Sequence, residues 1–386
     1  MRVLILSWEY PPLVVGGIAA HVEGLATAMS RAGHDVVVGS LHHPGEPDDK
    51  VVDGVRVLRA DASLPWLPDD DLVARMASAN HQLVQLAALL GDWRPEIVHA
   101  HDWLTAWAGD TLKVLFGVPL VATMHATERG RHGGHLPSGL PGAVNAVEWW
   151  LTYQAREVIA CSRFMVREVV QGFELPPEKV HLVPNGIDID RWTPAGTAVR
   201  DPADDPEPLV VAWGRIQYEK GFHVLARAMG ELRHRIPGIR CVIAGRGTYL
   251  PELQTHIDIE GVGDLVQLAG FVTDEELRSL LAKASCVVIP SLYEPFGIVA
   301  LEGMAAGAPT IVARTGGLAE IVENTGAGLL FEPGSHHELA DRIAEVMADH
   351  ELAQRLRTSA AALLGNTYTW DAIASATVAV YMAALR

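Results

Sequence analysis

Two cations and two carboxylates stand out in the second half of the chain. The segment Trp213 to Gly221 (WGRIQYEKG) sets Arg215 and Lys220 five residues apart between glycines. The chain has 30 Lys plus Arg against 47 Asp plus Glu, a formal charge of -17. In so acidic a chain, a local cationic pair points to a specific anion, most simply a diphosphate. Ordinary surface charge on a solvated loop is the competing reading. The segment Glu294 to Glu302 (EPFGIVALE) is sharper. A helix is predicted to begin near Gly297, with Glu294 in the loop before it and Glu302 about 1.5 turns into it. The helix amides can receive phosphate, while the carboxylates can grip hydroxyl groups. Paired carboxylates also suit glycoside hydrolysis, but that chemistry leaves the cationic pair without a role.

The first half carries different groups. Gly16 and Gly17 precede a predicted helix, where glycine lets backbone amides approach an anionic oxygen. A simple tight turn explains them equally well. The dinucleotide pattern GxGxxG is absent there, and Gly245-Arg246-Gly247 also falls short of it. His99, His101, Asp102 and Trp103 follow one predicted strand, and His125 follows another. Imidazole and carboxylate at strand ends can hydrogen-bond sugar hydroxyls or move protons; a structural role competes for each histidine. Their spacing matches no common zinc site. Trp103 or Trp107 could stack on a sugar face. Arg129 to His135 (RGRHGGH) is either a mobile basic loop beside the site or a solvated one.

These residues need elements to hold them at strand ends. Residues 2–6 (RVLIL) form a β-branched run, His21 to Arg31 a helix that stops at Gly33, and residues 35–40 (DVVVGS) a second strand. Further strands are predicted at 97–100, 119–123, 157–161 and 179–183, with helices at 72–90 and 143–155. Residues 193–208, rich in Pro and Asp, are the predicted linker. Beyond it the pattern restarts, with strands at 209–213, 240–244, 265–268, 286–290 and 309–313 and a helix at 221–235. Alternating strands and helices imply parallel sheets covered on both faces. The expectation is α/β: two facing, doubly wound, Rossmann-like domains with the active site in the cleft between them, since ligands bind beyond the carboxyl ends of such strands. The predicted domains are 1–195 and 206–369.

Composition narrows the class. With 386 residues, 49% hydrophobic and 20% charged, the chain reads as a two-domain globular protein. Its acidity disfavours nucleic acid as a partner. No run reaches the length of a membrane-spanning helix. Three widely spaced cysteines (Cys161, Cys241 and Cys286) form no disulfide framework and fit a reducing cytoplasm.

Taken together, the segments resemble the GT-B glycosyltransferases, specifically retaining family 4 and the neighbouring bacterial glycogen synthases. The likeness runs the whole length: the GG loop at 16–17, HDW at 101–103, the His125 strand end, Ser162 after Cys161, PNGID at 184–188, Gly214-Arg215 with Lys220-Gly221, and the E-x7-E of Glu294 and Glu302. The final segment after Trp370 is similar to the family helix that crosses back onto the first domain. Glycogen synthases carry Lys where this chain has Val14. The first segment and HATERGRHGG are closer to actinobacterial α-(1→4)-glucosyltransferases associated with glycogen and methylglucose lipopolysaccharide.

The resemblance implies a role for each matching residue. Arg215 and Lys220 neutralise the donor diphosphate, with backbone contacts from Gly16 and Gly17. Glu294 binds the donor sugar, helped by the backbone around Phe296, Gly297, Ile298 and Val299, and Glu302 binds the ribose. Gly245 and Phe271-Val272 border the base. His125 lies beside the anomeric carbon, and Asp102 and Trp103 face the acceptor. It further implies UDP-glucose or ADP-glucose as donor and an α-1,4-glucan or glucosylglycerate-type acceptor. No metal or other cofactor is needed, because the cations take the metal's place. The alternative within the family is a mannosyl- or N-acetylglucosaminyltransferase acting on a lipid or small-molecule acceptor. A homodimer is left open.

Overall fold

The computed structural model describes residues 1–61, 71–194 and 207–386. Most of the predicted linker therefore lies outside the described residues. The chain divides into two compact units, Met1–Gly186 with Trp370–Arg386, and Ile187–Thr369.

The first unit runs β1 (Arg2–Leu6), α1 (Gly17–Arg31), β2 (Asp35–Leu41), β3 (Asp49–Val52), β4 (Val55–Ala60), α2 (Leu72–Gln85), β5 (Ile97–His101), α3 (Ala106–Phe116), β6 (Leu120–Met124), α4 (Glu128–Arg131), α5 (Leu140–Gln154), β7 (Glu157–Ala160), α6 (Arg163–Phe173) and β8 (Val180–Leu182). The strands order as β3-β4-β2-β1-β5-β6-β7-β8, parallel except where β3 runs against β4. Central strands such as β1 and β5 are buried on both faces, which is why they read as unbroken apolar runs rather than as alternation. The hairpin β3–β4 went unpredicted. Asp53 and Gly54 join it with φ of 51° and 80°, the paired positive values of a tight turn whose twist suits a hairpin.

The second unit runs α7 (Ile189–Trp192), β9 (Leu209–Trp213), α8 (Phe222–Leu232), β10 (Arg240–Ala244), α9 (Leu250–Ile259), β11 (Val266–Gly270), α10 (Asp274–Leu281), β12 (Cys286–Ile289), α11 (Ile298–Ala305), β13 (Thr310–Ala313), α12 (Gly316–Val322), β14 (Leu329–Phe331), α13 (His336–Ala348) and α14 (His350–Thr367). Its six strands are parallel in the order β11-β10-β9-β12-β13-β14. The order reverses beside β9, the place where open sheets of this kind leave a crevice at the strand ends.

The boundary falls earlier than the predicted 195. Residues 187–194 side with the second unit, because Arg191 pairs with Asp274 and the Thr193 hydroxyl donates to the carbonyl of Ala305 at 3.4 Å. The chain returns to the first unit at α15 (Trp370–Ala384), whose buried Ile373, Val380 and Tyr381 join the core over α1. Trp370 lies so close to Gly24 and Gly186 that neither has room for a Cβ. Replacing Trp370 with Ala should therefore cost the first unit about 2–4 kcal/mol, a large aromatic lost from a packed seam. Urea unfolding followed by circular dichroism checks this, and an unchanged midpoint would show that α15 docks without it.

Candidate active site

The segments that follow β9, β10, β12 and β13 are tied together by backbone contacts. The Leu292 amide donates to the Glu219 carbonyl at 2.8 Å, the Ile216 amide to the Arg246 carbonyl at 2.8 Å, and the Gly317 amide to the Glu294 carbonyl at 3.0 Å. Gly221, at φ 68°, is the tightest point. A Cβ there would lie 2.0 Å from the Pro290 carbonyl oxygen, so only glycine lets these two loops meet. Gly245 packs in the same way against the carbonyl of Gly214.

This packing brings two predicted residues together. Lys220 Nζ lies 2.8 Å from Glu294 Oε2, and the Ser291 hydroxyl donates to the same oxygen at 3.1 Å. Glu294 is only 8% exposed, and Lys220 is half-buried. A charge so far removed from water needs a partner, and each supplies the other's. Arg215 is exposed on the same loop. Gly297 is the N-cap of α11 and leaves its first turn without a side-chain cap. Ile298 and Val299, in that turn, are half-buried, while Phe296 is buried with its ring 5.9 Å from Tyr368.

Glu302, the fifth residue of α11, accepts a hydrogen bond from the Trp213 indole at 3.0 Å. Burial pushes its carboxyl up to about 7, against the smaller opposing effect of that bond. Farther along the sheet edge, the Arg246 guanidinium lies 5.3 Å from the centre of the Phe271 ring, next to half-buried Val272. Gly245 is half-buried beside Arg246.

In the first unit, the amide of Gly16 donates to Glu9 Oε2 at 2.8 Å, and the amide of Val15 donates to the same oxygen. The chain's own buried carboxylate thus occupies amides that the sequence offers to a phosphate. Gly17 opens α1 just beyond them. Asp102, expected to face an acceptor, also works within the fold. Its Oδ1 accepts the His125 amide at 2.7 Å and fixes the end of β6. Trp103 is half-buried beside it.

His125 belongs to a nest of imidazoles. His101 Nδ1 lies 3.0 Å from His125 Nε2, and the His21 ring centre lies 4.8 Å from that of His125. His99 is held by the Tyr381 hydroxyl and the Thr123 hydroxyl, each at 2.7 Å. Burial drives all four below the ordinary imidazole value, His125 to about 4, so the nest is neutral at physiological pH. The next loop is anchored by Glu148, 2% exposed, which receives the Glu128 amide at 2.9 and 3.1 Å. Burial raises its carboxyl to about 8, with Asp102 and Glu128 adding smaller repulsions and that amide bond opposing.

The sequence reading missed Glu9, His21, Trp213, Ser291 and Glu148. Glu9 had a visible signal, a carboxylate just after a predicted strand and before the GG loop. His21 sits one helical turn after Gly17 and faces the same strand ends. Glu148 lies inside a helix, where nothing local marks it.

The comparisons with known proteins fit this arrangement. The family described as Glycosyltransferase Family 4 matches residues 15–191, and Glycosyl transferases group 1 matches 199–362. A glycogen synthase of Mycobacterium tuberculosis is 39% identical over 402 aligned positions, covering all of this chain and 95% of that protein. An alpha-maltose-1-phosphate synthase of the same organism is 30% identical, covering 99% of each. The structure of sucrose-phosphate synthase from Thermosynechococcus elongatus superposes with a TM-score of 0.83 at 24% identity, over 99% of this chain and 98% of that one. The chain belongs to the family 4 glycosyltransferases. It has the two parallel-sheet units of the GT-B fold and is a nucleotide-sugar-dependent hexosyltransferase. Among the described residues, no helix is long and apolar enough to cross a membrane.

The raised carboxyls set a pH dependence of stability. Between the ordinary 4.5 and about 8, folded Glu148 keeps a proton that the unfolded chain has lost. The stability from that proton is complete below pH 4.5 and is lost as pH rises through 8. Glu302 acts in the same direction between 4.5 and about 7. Glu148→Gln keeps an acceptor but removes the titration. Its melting temperature should therefore fall less than that of the parent from about pH 5 to about pH 9. Parallel melting profiles for the two proteins would refute the burial argument.

Proposed function

We propose that the protein transfers α-glucose, with retention, from UDP-glucose or ADP-glucose to an α-1,4-glucan or a related oligosaccharide or glucosylglycerate-type acceptor. The reaction takes place in the cytoplasm and uses no divalent metal. The observation that carries this reading is the Lys220–Glu294 pair, 2.8 Å apart, where the second sheet reverses its order. It holds a cation for the donor's leaving group and a carboxylate for its sugar hydroxyls in one contact. The 39% identity to a glycogen synthase supports glucose as the sugar.

On this reading Arg215 and Lys220 hold the diphosphate, and the uncapped start of α11 adds amides at Gly297, Ile298 and Val299. Before donor arrives, Lys220 is neutralised by Glu294. Donor binding lets Lys220 share its charge with the phosphates and frees carboxylate lone pairs for the sugar. Positive charge is thus in place before the bond breaks, when it lowers the barrier most. Glu302 takes the ribose hydroxyls, and Gly245 and Val272 border the base. With its pocket amide already given to Glu9, Gly16 serves mainly to shape the loop, and Gly17 remains the contact to the donor. The acceptor hydroxyl attacks on the face that the nucleotide leaves and passes its proton to the departing phosphate, so no side chain forms a covalent bond. His125 contacts the donor sugar as a neutral imidazole, and Asp102 and Trp103 orient the acceptor.

A second reading keeps the donor and changes the acceptor. Arg129 is exposed and Arg131 half-buried in the loop after Thr127, a cationic pair suited to a phosphorylated small acceptor. The 30% identity to an alpha-maltose-1-phosphate synthase favours it too.

Purified protein assayed in chelator with UDP-glucose, ADP-glucose, GDP-glucose and GDP-mannose separates these readings. Elongation of maltooligosaccharides from a glucose donor supports the first. Transfer only to a sugar phosphate supports the second. Use of GDP-mannose alone, or dependence on added magnesium, would overturn both. Lys220→Ala and Glu294→Ala should each lower kcat/KM by at least about 100-fold. Near-normal turnover by a folded Lys220→Ala protein would refute the diphosphate assignment.

A further inference from the structure

One cluster has chemistry that sugar transfer does not use. His21 from α1, His101 from the end of β5 and His125 after β6 each offer a ring nitrogen within 4.8 Å of the other two. His101 is 1% exposed and His21 3% exposed. His101 Nε2 has no hydrogen-bond partner among the described residues. With the hydrogen of His101 on Nδ1, donated to His125, Nε2 carries a lone pair that no described residue meets. A buried imidazole with an unmet ring nitrogen is a ready ligand for a borderline metal ion.

We propose that His21, His101 and His125 form a binding site for one divalent transition-metal ion of the zinc class, and that its occupation inhibits transfer. Three imidazoles and an open fourth position suit zinc, whereas magnesium and calcium prefer oxygen ligands. A tetrahedral ion about 2.0 Å from each nitrogen needs ligand atoms about 3.3 Å apart, so binding draws the three rings inward. His99 is saturated by Tyr381 and Thr123 and forms a fixed wall behind the site. His125 is the half-buried member and provides the entry. The ion then occupies the imidazole that contacts the donor sugar, so the inhibition rests on the function proposed above, while the binding does not.

His101 and His125 stand out in the sequence, but the site does not, because residues 21, 101 and 125 lie on three separate segments. A second group, Glu231 with His336 and His337, also gathers ligand atoms. It is a surface ion-pair cluster, with the His337 side chain 75% exposed, and it must be removed before counting ions.

The test uses the full chain carrying His336→Ala and His337→Ala. Equilibrium dialysis with Zn2+ and absorption titration with Co2+ should give one ion per chain and the visible bands of a four-coordinate cobalt site. Adding His21→Ala or His101→Asn should weaken binding by at least about 10-fold. No stoichiometric ion in the His336/His337 variant would overturn the site, and that measurement does not depend on how the cluster variants fold. Unchanged affinity in both cluster variants would overturn it as well. In the transfer assay, Zn2+ should inhibit and a chelator should restore turnover. Stoichiometric binding without inhibition would uphold the metal site and overturn the inhibition, along with the contact of His125 to the donor sugar.

Discussion

A lysine and a glutamate that cannot be left alone hold the second unit's chemistry together. Lys220 and Glu294 arise from loops 74 residues apart, and each loses much of its water where β9 and β12 end side by side. A single one of these charges in that position would be costly, whereas the pair is tolerable. The pair therefore dictates the surroundings. The two loops must touch, which demands a glycine at 221 under the Pro290 carbonyl. The carboxylate must be oriented, which Ser291 does, and its backbone fixed, which the Gly317 amide does. A negatively charged ligand that draws on Lys220 inherits a site already built to hold charge.

The first unit solves the converse problem. The amides at Val15 and Gly16, beneath the start of α1, attract negative charge. Glu9 supplies it internally, so the GG loop is shaped before any ligand comes. Close by, four histidines share one buried space, which charged imidazolium rings could not do. Burial and mutual repulsion keep them neutral, and neutral rings can stack and exchange hydrogen bonds at 3.0 Å. One unit thus concentrates fixed opposite charges, and the other concentrates neutral donors and acceptors.

This contrast explains what was legible in the sequence. Parallel strands appear as β-branched runs, and the strand ends mark the loops that matter. Arg215, Lys220, Glu294 and Glu302 were visible because this part of the second unit is built from short segments that each follow one strand. The hairpin β3–β4 had a signal too, Asp53-Gly54 between valines, and it went unread only because the pattern of parallel units was already dominant. Trp213, the partner of Glu302, was not legible in that way: it ends β9 while Glu302 lies in α11, and the meeting is made by sheet order. His21 is the extreme case: a polar residue on the buried face of a helix, explained only once β5 and β6 deliver two more imidazoles to it.

The same contrast bears on how such a protein could change its acceptor while keeping its donor. The region proposed to hold the donor, with paired charges, close-packed glycines and an uncapped helix start, has little freedom, since moving any loop breaks the Lys220–Glu294 contact or forces backbone into backbone. The loop of Thr127 to His135 has more freedom. It rests on a few bonds, the Glu128 amide on Glu148 and the Thr127 hydroxyl on Glu168, and its arginines are exposed or half-buried rather than locked in the core. Substitutions there can alter charge and length at small cost in stability, whereas substitutions at Gly221 or Ser291 cannot. On the proposed function, acceptor choice is expected to reside in the part of the first unit that the core constrains least, and donor chemistry in the part of the second unit that it constrains most.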